Sequence, residues 1–132
     1  DRPQAVVSIS APADAECEKL FQGNEIDRWK RAGHIHFPTY KRGEVKIGWQ
    51  FYADLQQYDA REAVENVMVP VRFIHGTEDD IVPLKNAEQL YERSNEPRDL
   101  QRVEGADHLF SSSEHQHRMV NGVVDWMEEH LA

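Results

Sequence analysis

The chain reads as an α/β protein built on a short parallel sheet. Three observations carry that expectation. Runs of strand length recur at Ala5 to Ala11, Val71 to His75 and Leu100 to Val103, the first two of them mostly apolar. A helical period follows each of the last two runs, and each of these runs closes in a glycine turn. Strand, helix, strand, helix in this rhythm gives parallel βαβ units with right-handed crossovers.

Taken in order, Ala5 to Ala11 is a strand closed by Pro12. Asp14 to Asn66 is mixed and mostly helical. Within it, Glu16 to Phe21 is a short helix, and Gly33 to Tyr40 breaks any period and reads as irregular. Val45 to Tyr58 is read as helix, with Phe51, Leu55 and Tyr58 at spacings of four and three. Asp59-Ala60-Arg61-Glu62 has capping-box form and starts another short helix through Val67. Pro70 keeps Val69 extended ahead of the strand Val71 to His75. Pro83 fits the first turn of a helix to about Ser94, with Leu84, Ala87, Leu90 and Tyr91 facing inward. Ser113 is expected to cap a final helix whose inner stripe is Val120, Val123, Val124, Met127 and Leu131.

Composition narrows the function classes. A length of 132 residues allows one core and is short for two ordinary domains. Apolar residues at 39% and charged residues at 30% fit a globular chain and argue against disorder. A net charge of -9 disfavours nucleic acid or an anionic membrane as partner. The basic stretch Arg28 to Arg31, which includes Trp29, reads as a solvated helix face. Cys17 stands alone, so no internal disulfide forms, and without a cationic neighbour besides Lys19 it reads as an inert thiol. No run reaches membrane-span length and no signal peptide is evident, so a cytoplasmic location is expected. The chain opens at Asp1 and enters a strand almost at once, as a processed chain or a piece of a longer one would.

Two turns carry the chemistry. His75-Gly76-Thr77-Glu78-Asp79 places a carboxylate three residues past a glycine, and Gly105-Ala106-Asp107-His108 ends in a histidine. In a parallel sheet the loops after the strands' carboxyl ends converge on one rim, so Asp79 and His108 can meet although 29 residues separate them. An acid that fixes a histidine's tautomer, and a histidine that shuttles a proton, are two partners of a nucleophilic triad.

His75-Gly76, Asp79, Val82-Pro83 and Gly105-Ala106-Asp107-His108 together resemble the C-terminal half of the α/β-hydrolase fold family. The resemblance covers the whole chain, as sixth strand, cap segment (14–66), then an acid- and histidine-bearing βαβα unit (67–132) with the seventh and eighth strands. It implies Asp79 as triad acid and His108 as triad histidine, with no cofactor and no metal. It also implies a nucleophile elbow, usually Gly-x-Ser-x-Gly, ahead of the sixth strand. This sequence contains no such pentapeptide, so the nucleophile half is expected to lie before Asp1.

Each assignment has a plainer competitor. Asp79 can be a turn residue that only caps local amides, and His108 a surface turn histidine. Glu78 and Asp80 flank the acid, but the glycine-plus-three spacing favours Asp79; Asp107 reads as a loop residue. Ser8 and Ser10 lie on the first strand and Ser111 to Ser113 open the last helix, none in an elbow pattern. His34 and His36 lie in the irregular segment, where a metal is conceivable, although structural histidines fit better. His115 and His117 lie on a helix, where residues two apart diverge by about 200° and cannot share an ion. The aromatic set Phe21, Trp29, Phe37, Tyr40, Trp49, Phe51, Tyr52 and Tyr58 packs small helices, with a cap over an apolar substrate pocket as the functional reading.

The resemblance therefore implies the acid and histidine half of a serine hydrolase acting on a small-molecule carboxylic ester or related acyl substrate. The 132-residue chain alone is expected to be inactive. The alternative from another class is a non-catalytic scaffold that kept the architecture. In either case the apolar strand edge at Val6, Val7 and Ile9 is expected to self-associate or to pair with the missing half.

Overall fold

The computed structural model describes residues 2–14, 24–39 and 43–131. The elements run β1 (Val6–Ile9), α1 (Glu25–Ala32), β2 (His34–Thr39), β3 (Gly43–Gly48), α2 (Trp49–Leu55), α3 (Ala60–Val64), β4 (Val71–Gly76), α4 (Lys85–Arg93), β5 (Arg98–Val103) and α5 (Ser113–His130). They divide into two compact units, Asp1–Asp14 with Ala60–Ala132, and Ala15–Asp59.

In the first unit β1, β4 and β5 form the expected three-stranded parallel sheet, in the order β1-β4-β5. Val6 pairs with Val71 and Ile9 with Ile74, while Val71 pairs with Arg98 and Gly76 with Val103. β4 is central, and every one of its residues except Arg72 is buried. Its alternating side chains feed two apolar clusters. Val71 and Phe73 pack with Ala13, Val64, Ala87 and Leu90; Ile74 packs with Val103, Ala106 and Phe110. Full burial of a side chain such as Phe73 or Ile74 contributes about 1.5–3 kcal/mol. A strand covered on both faces is mostly apolar, and Val71, Phe73 and Ile74 give β4 that character around Arg72.

The helices of this unit depart from expectation in detail. α3 begins where the capping box places it but stops at Val64 instead of Val67, with Asn66 Nδ2 donating to the Glu62 carbonyl at 3.1 Å. Pro83 precedes α4 by two residues and accepts from Asn86 N at 2.9 Å and Asn86 Nδ2 at 2.8 Å. The cap of α5 is Ser112, whose Oγ accepts from His115 N at 3.1 Å, and not Ser113.

The inner face of α5 is also rotated from the expected stripe. Met119, Gly122, Val123 and Trp126 face inward, whereas Val120, Val124 and Leu131 are exposed. The valine stripe lost because Trp126 offers the larger apolar area, and its ring lies under the Arg72 guanidinium at 4.7 Å. Gly122 adds a close approach, since a Cβ there would fall 1.8 Å from Gln101 Oε1.

The second unit corrects the sequence reading more strongly. Gly33 to Tyr40 is no irregular stretch: β2 pairs antiparallel with β3, His34 opposite Gly48 and Thr39 opposite Gly43. The segment read as one helix from Val45 to Tyr58 is strand through Gly48, then α2, which ends at Leu55. Phe51 and Tyr58, expected inside, are exposed. Trp29 is the buried anchor instead. It meets Trp49 edge-on at 6.0 Å and Tyr52 at 5.6 Å, and its Nε1 donates to Ile47 O at 3.1 Å. The basic stretch is the outer face of α1 as expected, Arg28, Lys30 and Arg31 being exposed. The helix expected at Glu16 to Phe21, with Cys17, Phe21 and Tyr40, lies outside the described residues.

Candidate active site

All three parallel strands end at the same rim, and the backbone there is tied across the turns. After β4, Thr77 N donates to Val103 O at 3.1 Å and Glu78 N to Ala106 O at 3.0 Å. Gly105 N returns a bond to Thr77 Oγ1 at 2.8 Å. Gly76 permits this closeness, because a Cβ on it would fall 2.2 Å from the Ala106 carbonyl oxygen. From the other side Ser10, buried at the end of β1 with φ 49°, donates its hydroxyl to His108 O at 3.3 Å.

Asp79 and His108 meet on this platform: His108 Nδ1 lies 2.9 Å from Asp79 Oδ2. The Asp79 side chain is fully buried and that of His108 is 29% exposed. The turn aims the acid by local hydrogen bonds, with Oδ1 accepting from Ile81 N at 3.0 Å and Val82 N at 2.7 Å. A carboxylate so placed accepts the Nδ1–H of the ring, which leaves Nε2 as the nitrogen able to take up a proton. The turn-cap alternative for Asp79 thus describes half of the truth, since one oxygen caps the turn and the other holds the imidazole. Glu78 and Asp80 are both exposed.

A third side chain, the ring of His75, completes the cluster. It is fully buried, with Nε2 at 2.7 Å from Val82 O and 3.2 Å from Asp79 Oδ2. Sequence reasoning used His75 only as part of a pattern. The signal for more was present, because a histidine inside an apolar strand must find polar partners when buried.

Residues 25–132 match the model of the prolyl oligopeptidase family. The chain belongs to that family. A curated relative, the protein YqkD of Bacillus subtilis, is 30% identical over 76 residues, which is 54% of this chain and 25% of the relative. The esterase domain of a Rhodothermus marinus protein superposes with a TM-score of 0.69 at 21% identity, over 98% of this chain and 52% of that one. Mouse alpha/beta hydrolase domain-containing protein 10 gives 0.71 at 21%, over 95% and 52%. The fold is therefore that of the α/β-hydrolases, and the chain spans about half the length of these solved structures.

The other candidates of this prolyl oligopeptidase family chain take no part in the contact between Asp79 and His108. Ser112 is committed to its cap and Ser10 to the His108 carbonyl. Asp107 Oδ1 accepts from Ser111 N at 2.8 Å, and the Ser111 side-chain and backbone hydrogen bonds hold its carboxyl below the ordinary 3.8. His34 and His36 project from one face of β2 with ring centroids 5.4 Å apart, and His36 Nδ1 lies 3.5 Å from Glu44 Oε2. Glu25, Arg28 and Arg31 line the same cavity as these two rings. Among the described residues no three potential ligands gather to hold a metal, and no helix is long and apolar enough to cross a membrane.

Proposed function

We propose that this chain supplies the acid and base of a serine hydrolase that cleaves a carboxylic ester or related acyl bond through an acyl-enzyme. The observation that carries the reading is the 2.9 Å contact between His108 Nδ1 and Asp79 Oδ2, with the acid buried and the imidazole partly open to solvent. In this reaction a serine hydroxyl attacks the acyl carbon while His108 Nε2 takes its proton. The same nitrogen then protonates the leaving group. Asp79 holds the ring in the Nδ1–H tautomer and stabilises the imidazolium. Water, deprotonated by His108, releases the acyl group and restores the serine.

The serine is assigned to a segment preceding β1, because no serine of the sequence lies in an elbow pattern and Ser10, Ser94 and Ser112 are engaged in other hydrogen bonds. Residues 14–66 are assigned as the cap segment from their place in the chain between β1 and β4. Two observations pull the bond type in different directions. The matching family is named for a peptidase, whereas similar structures are described as an esterase domain and a monoacylglycerol lipase.

The test uses the protein extended at its N-terminus by the length that its structural relatives carry. A fluorophosphonate probe should label this protein at a serine ahead of β1 and leave the 132-residue chain unlabelled. Asp79→Asn or His108→Ala should each lower turnover of a p-nitrophenyl ester by about ten-thousandfold, the scale seen when a triad loses its acid or base. Turnover of a peptide p-nitroanilide under the same conditions decides between amide and ester. Stoichiometric labelling of the short chain, or full activity without His108, would overturn the proposal.

A further inference from the structure

The geometry points to His75 as a positioning residue that sets the plane of the Asp79 carboxylate, an inference that rests on the reading of Asp79 and His108 given above. Its ring sits on β4, one residue before Gly76, and is completely enclosed. A carbonyl oxygen can only accept, so the 2.7 Å approach of Nε2 to Val82 O fixes the proton on Nε2. Nε2 also lies 3.2 Å from Asp79 Oδ2, a close polar contact beside the hydrogen bond to Val82 O. Among the described residues Nδ1 has no hydrogen-bond partner, so the ring is held through Nε2.

Two consequences follow from this placement. Val82 donates its N–H to Asp79 Oδ1 and gives its carbonyl to His75, so the ring clasps the far end of the acid turn back onto the strand from which the turn departs. Asp79 Oδ2 then faces His108 Nδ1 at 2.9 Å, which hydrogen-bonds to it, and lies 3.2 Å from His75 Nε2, whose hydrogen bond goes to Val82 O. With Ile81 N and Val82 N on Oδ1, every acceptor position of the carboxylate that matters for its orientation is occupied. Without His75, Val82, whose N–H holds Oδ1, would lose its tie to β4, and the carboxylate would depend for its orientation on a looser turn and on His108, the ring that must itself be held still. A role in filling space does not account for the residue. Burying two ring nitrogens costs free energy that an apolar side chain of like size avoids, and only the hydrogen bonds offset it.

The experiment compares three substitutions in the N-terminally extended protein. His75→Phe keeps the ring volume and removes the donor. His75→Gln and His75→Met form a matched unbranched pair, one with an N–H donor and one without. The Phe and Met variants should lose about ten- to hundredfold in kcat, the scale of leaving one buried acceptor, the Val82 carbonyl, unpaired, with KM held within about twofold. His75→Gln should recover at least about tenfold over His75→Met. The low-field proton resonance of His108 Nδ1–H should move or broaden in the Phe and Met variants and return toward its native position in the Gln variant.

Asp79→Asn and His108→Ala are measured in parallel. If both retain activity, the reading of the site itself is wrong. If both lose activity while folded Phe and Met variants keep native kcat and an unmoved resonance, only the inference about His75 fails. Collapse of all three variants, the Gln variant included, would assign His75 to packing and overturn the inference as well.

Discussion

The stretch from β4 to β5 and the stretch from α1 to α2 hold their elements by different means. β4 is flanked by a parallel partner on each side, drawn from distant parts of the chain, and is covered on both faces. Its apolar run and the period of α4 are the direct imprint of that burial. β2 and β3 pair only with each other, no residue of either is buried, and Trp29 is the one buried residue described between α1 and α2. Their order comes from local hydrogen bonds and one aromatic cluster. Sequence patterns report burial far better than they report hydrogen bonding, so the first region was readable and the second was not.

Substitutions in each region sharpen that contrast. The largest stability effect belongs to the second region, where one side chain carries the packing. Trp29→Ala should cost about 3–5 kcal/mol in urea unfolding followed by near-ultraviolet dichroism. A cost below about 1 kcal/mol, the range of an exposed site, would mean the cluster with Trp49 and Tyr52 is not what holds this region together. In the first region the sensitive point is backbone. Gly76→Ala drives a methyl into the Ala106 carbonyl, which cannot swing away as a side chain would, and should cost about 3 kcal/mol, the upper part of the usual range for overpacking. An unchanged denaturation midpoint would show that the two turns are not pressed together.

Smaller effects separate neighbouring residues. Ser112→Ala should lower stability by about 1 kcal/mol through loss of the helix cap, while Ser113→Ala should change it by no more than about 0.5 kcal/mol. Equal costs would return the cap to the position favoured by the sequence. The smallest effect is acid-dependent. Because the folded value of Asp107 lies below 3.8, its contribution to stability is present above 3.8 and disappears as pH falls through the lowered folded value. Asp107→Asn should therefore flatten the acid limb of stability between about pH 5 and pH 2. An acid limb identical to that of the native chain would remove Asp107 from the account.

The sheet order was legible because β-branched runs and helical periods alternated, and the meeting of Asp79 with His108 because parallel strands share a direction. The hairpin was hidden by its own residues. Ile35 and Phe37 alternate with His34 and His36, and Val45 and Ile47 flank Lys46, which is the period of a strand. Gly33 and Pro38 were read as breakers, yet Gly33 ends α1 in a left-handed conformation, and Pro38 lies in a two-stranded ladder in which each strand is an edge. The inner face of α5 was misjudged because counting valines gave no weight to Trp126 or to the closeness Gly122 permits. His75 was underweighted because Val82, the residue that explains it, is seven positions away and meets it only through a carbonyl.

The ties from Thr77 to Val103, from Glu78 to Ala106 and from Gly105 to Thr77 join the two turns without passing through α4. The gap along the chain between acid and histidine is therefore set by the helix, while their separation in space is set by those ties. Insertions or deletions between Pro83 and Arg98 can accumulate in homologues without moving one side chain against the other. A search for distant kin should accordingly hold the two turn signatures fixed and let the interval between them float.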